Sequence, residues 1–283
     1  AFDTEFAEAL RSGEFDAQEY SSDRVSMQAV KLVADGSIQG YTGYLSHPYH
    51  VPRDPADTEY RGYPAIPRDE LFARVERLHK AGHQLAIHGN GDESIEDILD
   101  AFEAAQQAYP VEDPRMILIH SQMAREDQVA RMKALGVTPS FFSAHTYYWG
   151  DRHRDIFMGP ERAAAMSPAR WAQDQGLRFS SHMDTPVTPM LPLQAVWSQV
   201  HRLSYGGDVI GPEQRIDVMS ALRAVTIDAA WQVFQEDRIG SLEPGKLADI
   251  IVLSGSPLAE PMAMRDLKVE RTLVGGATIF KRF

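Results

Sequence analysis

The chain has 283 residues, enough to bury a sizeable core in one large domain with room for a small appendage. Its 43% hydrophobic and 24% charged residues are ordinary for a globular protein, and a formal charge of -12 sets it against nucleic acid and anionic membranes as partners. It has no cysteine, which removes disulfides, thiolate metal sites and a cysteine nucleophile, so any metal must be held by histidine and carboxylate.

The chain opens at Ala1 in a polar, acidic segment with no basic-then-apolar signal pattern, and no run approaches the roughly 18 apolar residues of a membrane span. A cytoplasmic location is expected, with the natural start of the protein upstream of Ala1. The apolar run Ala29–Ala34 reads as a strand ending in Asp35-Gly36-Ser37, followed by a Pro/Gly/Tyr-rich loop to about Pro67. A helix with Leu71, Val75 and Leu78 on one face is stopped by Gly82. Gln84–His88 is a second strand, cut off by Gly89-Asn90-Gly91, and Glu93–Ala108 a helix carrying Ile95, Ile98, Leu99 and Phe102 at helical spacing. Met116–His120 is the third strand, Arg125–Leu135 its helix, and Val137–Ser143 the fourth strand. An irregular excursion over 144–167 and a helix near Pro168–Gln175 lead into a fifth strand, Leu177–His182. Strands that alternate with helices imply an α/β fold with a parallel sheet and helical crossovers. Helices are then expected near Leu191–Leu203, Glu213–Ala224 and Thr226–Gln235. Ala248–Leu253 and a hairpin over Val269–Phe280, turning at Gly275-Gly276, lack alternating helices and predict a small separate β layer.

Neither a GxGxxG turn after the first strand nor a phosphate loop is present, so the nucleotide-binding readings fail. The chemistry-bearing residues sit instead at strand ends, where parallel α/β barrels place their catalytic groups. His88 and His120 end successive strands, His182 and Asp184 end the last, and Lys31 lies inside the first with Asp35 at its exit. A lone histidine in such a place is ordinarily a hydrogen-bonded structural residue, Lys31 alone ordinarily snorkels or pairs, and Asp35-Gly36 can be a plain turn. Two strand-end histidines with an aspartate shift the balance towards a metal site, the donor set suiting zinc, with manganese, iron and nickel open. Asp184 is placed to serve as general base towards a metal-activated water. His47, His50, His79, His83, His153 and His201 read as loop or surface residues, and Asp92 as a helix cap.

Four segments, Val30-Lys31-Leu32-Val33-Ala34-Asp35-Gly36-Ser37, Ala86-Ile87-His88-Gly89-Asn90-Gly91-Asp92, Leu118-Ile119-His120-Ser121-Gln122 and Ser181-His182-Met183-Asp184-Thr185-Pro186, resemble the ordered motifs of the amidohydrolase superfamily. More narrowly they resemble its amidohydrolase 3 branch, the YtcJ-like and N-substituted formamide deformylase-like group. The segment Gly240-Ser241-Leu242-Glu243-Pro244-Gly245-Lys246-Leu247-Ala248-Asp249-Ile250 is similar to the superfamily's return into its β-sandwich. The resemblance implies the C-terminal part, strands 4–8, of a metal-dependent hydrolase TIM barrel over residues 1–237, with a β-sandwich segment at 238–283. It implies His88 and His120 as the strand-five and strand-six ligands, and Asp184 as the strand-eight ligand and general base. Lys31 falls where many members carry a carboxylated lysine bridging two ions. His145 follows the seventh strand, where it would bind substrate or stabilise an oxyanion, and Tyr147, Tyr148 and Trp149 would line an apolar pocket or pack the loop. The family's His-x-His of strand one is absent, so the expectation includes a missing N-terminal half or a homo-oligomer.

The function expected is hydrolysis of C–N bonds in amide or formamide-like small molecules, with one or two divalent ions, zinc first. The alternatives are a non-catalytic binding or regulatory module, and a hydrolase of ester or lactone C–O bonds.

Overall fold

The computed structural model describes residues 29–283 without a break and, before them, Ser12, Glu19, Ser22, Val25 and Ser26. The opening acidic segment therefore lies largely outside the described residues. The chain divides into two compact units, Ala1–Pro139 and Ser140–Phe283.

In the first unit β1 (Ala29–Val33), β2 (Gln84–Gly89) and β3 (Met116–His120) pair in parallel. The register sets Val33 beside His88, Lys31 beside Ala86, and Gly89 beside His120. Parallel strands need crossovers, and α1 (Arg68–Lys80) and α2 (Asp92–Ala108) supply the first two. Leu71, Val75 and Leu78 on α1, and Ile95, Ile98, Leu99, Phe102 and Ala105 on α2, are at most 1% exposed. Burying a Leu, Ile, Val or Phe side chain contributes about 1.5–3 kcal/mol, so these two stripes alone anchor both helices. Helix α3 (Glu126–Leu135) buries Val129 and Met132 and ends at Gly136, whose φ of 70° needs a residue without Cβ. In strand order β4 (Val137–Phe141) follows β3.

Two polar residues in this unit correct the sequence reading. His79 is not at the surface: it is 4% exposed on α1, its Nε2 contacts Tyr109 O and Gln106 Oε1, and its ring packs edge-on to Phe102 at 5.3 Å. Asp92 does not cap α2, since Gly91 occupies that place; its carboxylate instead accepts from Ser46 N at 3.0 Å and from the Ser46 hydroxyl, tying down the loop before α1.

In the second unit Ser140 and Phe141 of β4 pair in parallel with β5 (Ser180–Ser181). The strand expected over Leu177–His182 thus keeps two laddered residues, although His182 N still donates to Phe141 O. The 144–167 excursion proves helical: α4 (Ala144–Arg152), a π-helical turn at His153–Phe157, and α5 (Gly159–Ala165). Its buried face is built from Ala144, His145, Thr146 and Gly150, so it lacks the apolar period that announces a helix. His153, also expected at the surface, is fully buried there.

After α6 (Ala169–Asp174) and α7 (Pro192–His201), the helix expected from Glu213 starts only at Val218. Asp217 accepts from Ser220 N at 2.9 Å and so caps α8 (Val218–Ala224), which α9 (Ile227–Gln232) follows. Finally β6 (Ile250–Leu253), β7 (Val269–Val274) and β8 (Ala277–Lys281) form the expected separate antiparallel sheet. Its hairpin turns at Gly275 and Gly276, both at positive φ. Among the described residues no helix is long and apolar enough to cross a membrane.

Candidate metal centre

In the first unit the strand ends converge. The His88 and His120 rings meet edge-on with centroids 4.5 Å apart, and His88 Nε2 lies 3.5 Å from Asp35 Oδ1. Asp35 is not a plain turn residue. It is wholly buried and accepts from the main-chain N–H groups of Asn90 (2.9 Å), Gly91 (2.8 Å) and Tyr44 (3.0 Å). Burial pushes its carboxyl up to about 7 against the lowering effect of those three donors. Gly91 is required for this packing, because a Cβ there would stand 1.8 Å from Tyr44 O.

His88 Nε2 lies 3.1 Å from the carbonyl oxygen of Gly36, which also accepts from Asn90 Nδ2 at 2.8 Å. Nε2 also lies 3.0 Å from Asn90 Nδ2, so this nitrogen faces one acceptor and one donor at once. Burial lowers the His88 pKa to about 4, and the Lys31 charge adds to the effect, so the ring is neutral near pH 7, the state that binds metal. Lys31 is half-buried on β1; its partner Ala86 lies two residues before His88, so all three occupy one face of the sheet. His120 is 3% exposed and has φ 71°, with Ser121 at 47°. Two consecutive non-glycine residues in the left-handed region mark a strand end held in a strained form, as binding sites often are.

In the second unit His182 and Asp184 line one cleft of about 320 Å³ with Ser181, Met183, Thr185, Met190, Pro192, Ala195 and Val225. Asp184 also has positive φ, 51°. His182 Nδ1 lies 2.9 Å from Ser140 Oγ, and its ring stacks on Phe142 at 5.4 Å. His145 sits in the first turn of α4, 2% exposed, its ring 4.2 Å from Phe142, 5.6 Å from Trp149 and 6.0 Å from His153. It is not among the residues lining the cleft, and neither are Tyr147, Tyr148 and Trp149. Within that aromatic cluster Tyr147 meets Trp197 and Tyr205 edge-on, and Arg265 lies over Trp197 at 4.5 Å.

The sequence reading singled out Lys31, His88, His120, Asp184 and His145, and gave His182 no ligand role. The signal was present as His-x-Asp at the exit of a strand. The serine beside His182 carried no such signal, being 42 residues away.

A model of the amidohydrolase family (Amidohydro_3) matches residues 7–280. N-substituted formamide deformylase of Arthrobacter pascens is 30% identical over 216 residues, covering 76% of this chain and 40% of that protein. The putative amidohydrolase YtcJ of Bacillus subtilis is 26% identical over 275 residues, covering 94% and 49%. Among solved structures, an uncharacterised metal-dependent hydrolase from Pyrococcus horikoshii has a TM-score of 0.75 at 28% identity, covering 90% of this chain and 49% of that one. A second, from Pyrococcus furiosus, has a TM-score of 0.74 at 27% identity with the same coverage. The chain spans 40–49% of the length of these two curated relatives. With the family model matching nearly its whole length, this chain belongs to the amidohydrolase family.

Proposed function

We propose that this chain carries metal-binding and general-base residues of a hydrolase that cleaves C–N bonds in amide or formamide-like small molecules. Residues 1–237 would form barrel strands 4–8 and residues 238–283 a β-sandwich segment. The observation that carries the reading is the donor chemistry of strand-end residues: His88, His120, His182 and Asp184, with no thiolate available. His88 fits a ligand role because its ring is neutral near pH 7 and is oriented by Gly36 O and Asn90 Nδ2. His120 in the first unit, and His182 with Asp184 in the second, are each proposed as ligands of a divalent ion, zinc first. Lys31, carboxylated, is the proposed link to a second ion beside His88.

A divalent cation held there would supply Lewis acidity, bringing the pKa of its water down to roughly 7 and polarising the substrate carbonyl. Asp184 takes the proton of the attacking water and passes it to the leaving nitrogen. The relative named as a formamide deformylase supports the choice of a C–N bond.

Turnover of chromogenic anilides, formamides and esters, measured before and after chelation and after Zn²⁺ is returned, tests the reading. Anilide or formamide cleavage that follows the metal is expected. Cleavage of esters alone would move the activity to C–O bonds, and metal uptake without any cleavage would leave a binding module.

A further inference from the structure

Behind His182 runs a row of buried polar side chains that the proposed reaction does not use. His182 Nδ1 lies 2.9 Å from Ser140 Oγ on β4, and Ser140 Oγ lies 2.8 Å from Ser180 Oγ on β5. Ser180 Oγ lies 2.5 Å from Oε1 of Gln232, the last residue of α9. Ser140, Ser180 and Gln232 are 8%, 4% and 4% exposed, so water does not stand in for these contacts.

The row has a direction because it ends on an amide oxygen, which accepts and never donates. Ser180 therefore points its single proton at Gln232. Its oxygen is left to accept, and the one neighbour able to donate along the row is Ser140. The Ser140 proton is then turned away from the imidazole, its oxygen faces His182, and the contact at Nδ1 is completed only if Nδ1 carries the proton. The lone pair of the neutral ring then falls on Nε2. With the opposite polarity, one of the three contacts has no proton in it and sets two oxygens against each other at 2.5 or 2.8 Å.

We propose that Gln232, acting through Ser180 and Ser140, sets the tautomer of His182 so that its Nε2 is presented as a donor to a cation. The three are positioning residues, not catalytic ones, and the proposal rests on the reading of His182 as a ligand. Free imidazole side chains favour the proton on Nε2, the form unable to ligate through that nitrogen, so the row holds His182 in its less favoured form before the ion arrives. The residue that decides this is 50 positions from His182 in the chain and acts on it through two serines.

The test reads the tautomer and the metal separately. In the metal-free full chain, ¹⁵N NMR of labelled histidine, assigned with His182→Gln, is expected to show His182 protonated on Nδ1. Gln232→Leu removes the terminal acceptor and is expected to move His182 towards the Nε2–H form. It should also weaken Zn²⁺ binding, titrated against a chromophoric chelator, by about tenfold. Gln232→Glu keeps an acceptor oxygen and should stay within about threefold of wild type. Ser140→Ala removes the direct partner of Nδ1 and should lose on the order of 10- to 100-fold. Should Gln232→Leu fail to fold, Ser180→Ala cuts the same row with a smaller change. His182 found as Nε2–H in the wild type, or an unaltered tautomer and Zn²⁺ affinity after the row is cut, overturns the proposal. A wild type that takes up no Zn²⁺ would sink the proposed function, while the tautomer of the metal-free chain would still decide this one.

Discussion

His88 and His182 both stand at the end of a parallel strand, yet their rings are oriented by different means. His88 is held by a main-chain carbonyl, Gly36 O, in a loop pinned by the buried Asp35. His182 is held by a serine hydroxyl at the end of a side-chain row. The carbonyl contact of the first cannot be deleted by changing a side chain and is lost only if the loop moves, while Asn90 Nδ2 adds a side-chain contact to the same nitrogen at 3.0 Å. The second can be cut at any of three positions while the backbone stays in place. Orientation by backbone ties metal competence to local folding; orientation by side chains separates the two.

Variants can break or sharpen that contrast. The largest effect is expected at the residue that neither frame supports, Asp184. Asp184→Asn keeps the side-chain shape and, since Asn tolerates the left-handed backbone, should leave the circular dichroism spectrum intact while turnover falls by about 10²–10⁴. Turnover within tenfold of wild type would remove it as general base.

In the first unit, Asp35→Ala strands three buried N–H groups and should destabilise by about 3 kcal/mol or more in urea denaturation. Zn²⁺ affinity should fall with it, since the Gly36 carbonyl loses its frame. Gly91→Ala, which forces a Cβ against Tyr44 O, should act in the same direction through a different residue. In the second unit Ser140→Ala should show the opposite pattern: weaker Zn²⁺ binding with a change in stability of only about 1 kcal/mol. Equal stability losses in the two units would erase the distinction.

A smaller effect separates the metal from plain burial. His153 is fully buried, and burial lowers its pKa to about 3. The unfolded chain takes up this proton near the ordinary value of 6.5 and the folded chain does not. Its contribution to stability is therefore whole above pH 6.5 and is lost progressively as pH falls towards 3. His153→Gln should flatten the pH dependence of urea stability over that window and leave Zn²⁺ binding unchanged; an unaltered acid limb would show that His153 does not titrate as placed.

Much of this could be read from the sequence where apolar residues repeat with a period. Met116–His120 is a strand to the residue, and Gly275-Gly276 is the hairpin turn it was expected to be. Where burial is polar, the sequence was silent. Helix α4 turns His145 and Thr146 inward and so imitated a loop, and Asp35 looked like a turn because its three partners lie 9 to 56 residues away. The left-handed backbone at His120 and Asp184 leaves no compositional mark, and Ser140, Ser180 and Gln232 are common residues 40 and 52 positions apart. The proposed ligands His88, His120 and Asp184 stand out in the sequence because their chemistry is scarce; His182 and the side chains that contact it do not.

The most direct test of the whole account is elemental analysis of the chain purified without chelators, beside the His182→Ala, Asp184→Ala double variant. About one equivalent or more of a divalent transition ion per chain is expected in the wild type, and under about a tenth in the variant. A wild type with as little metal as the variant, or a variant that keeps its full complement, would contradict it.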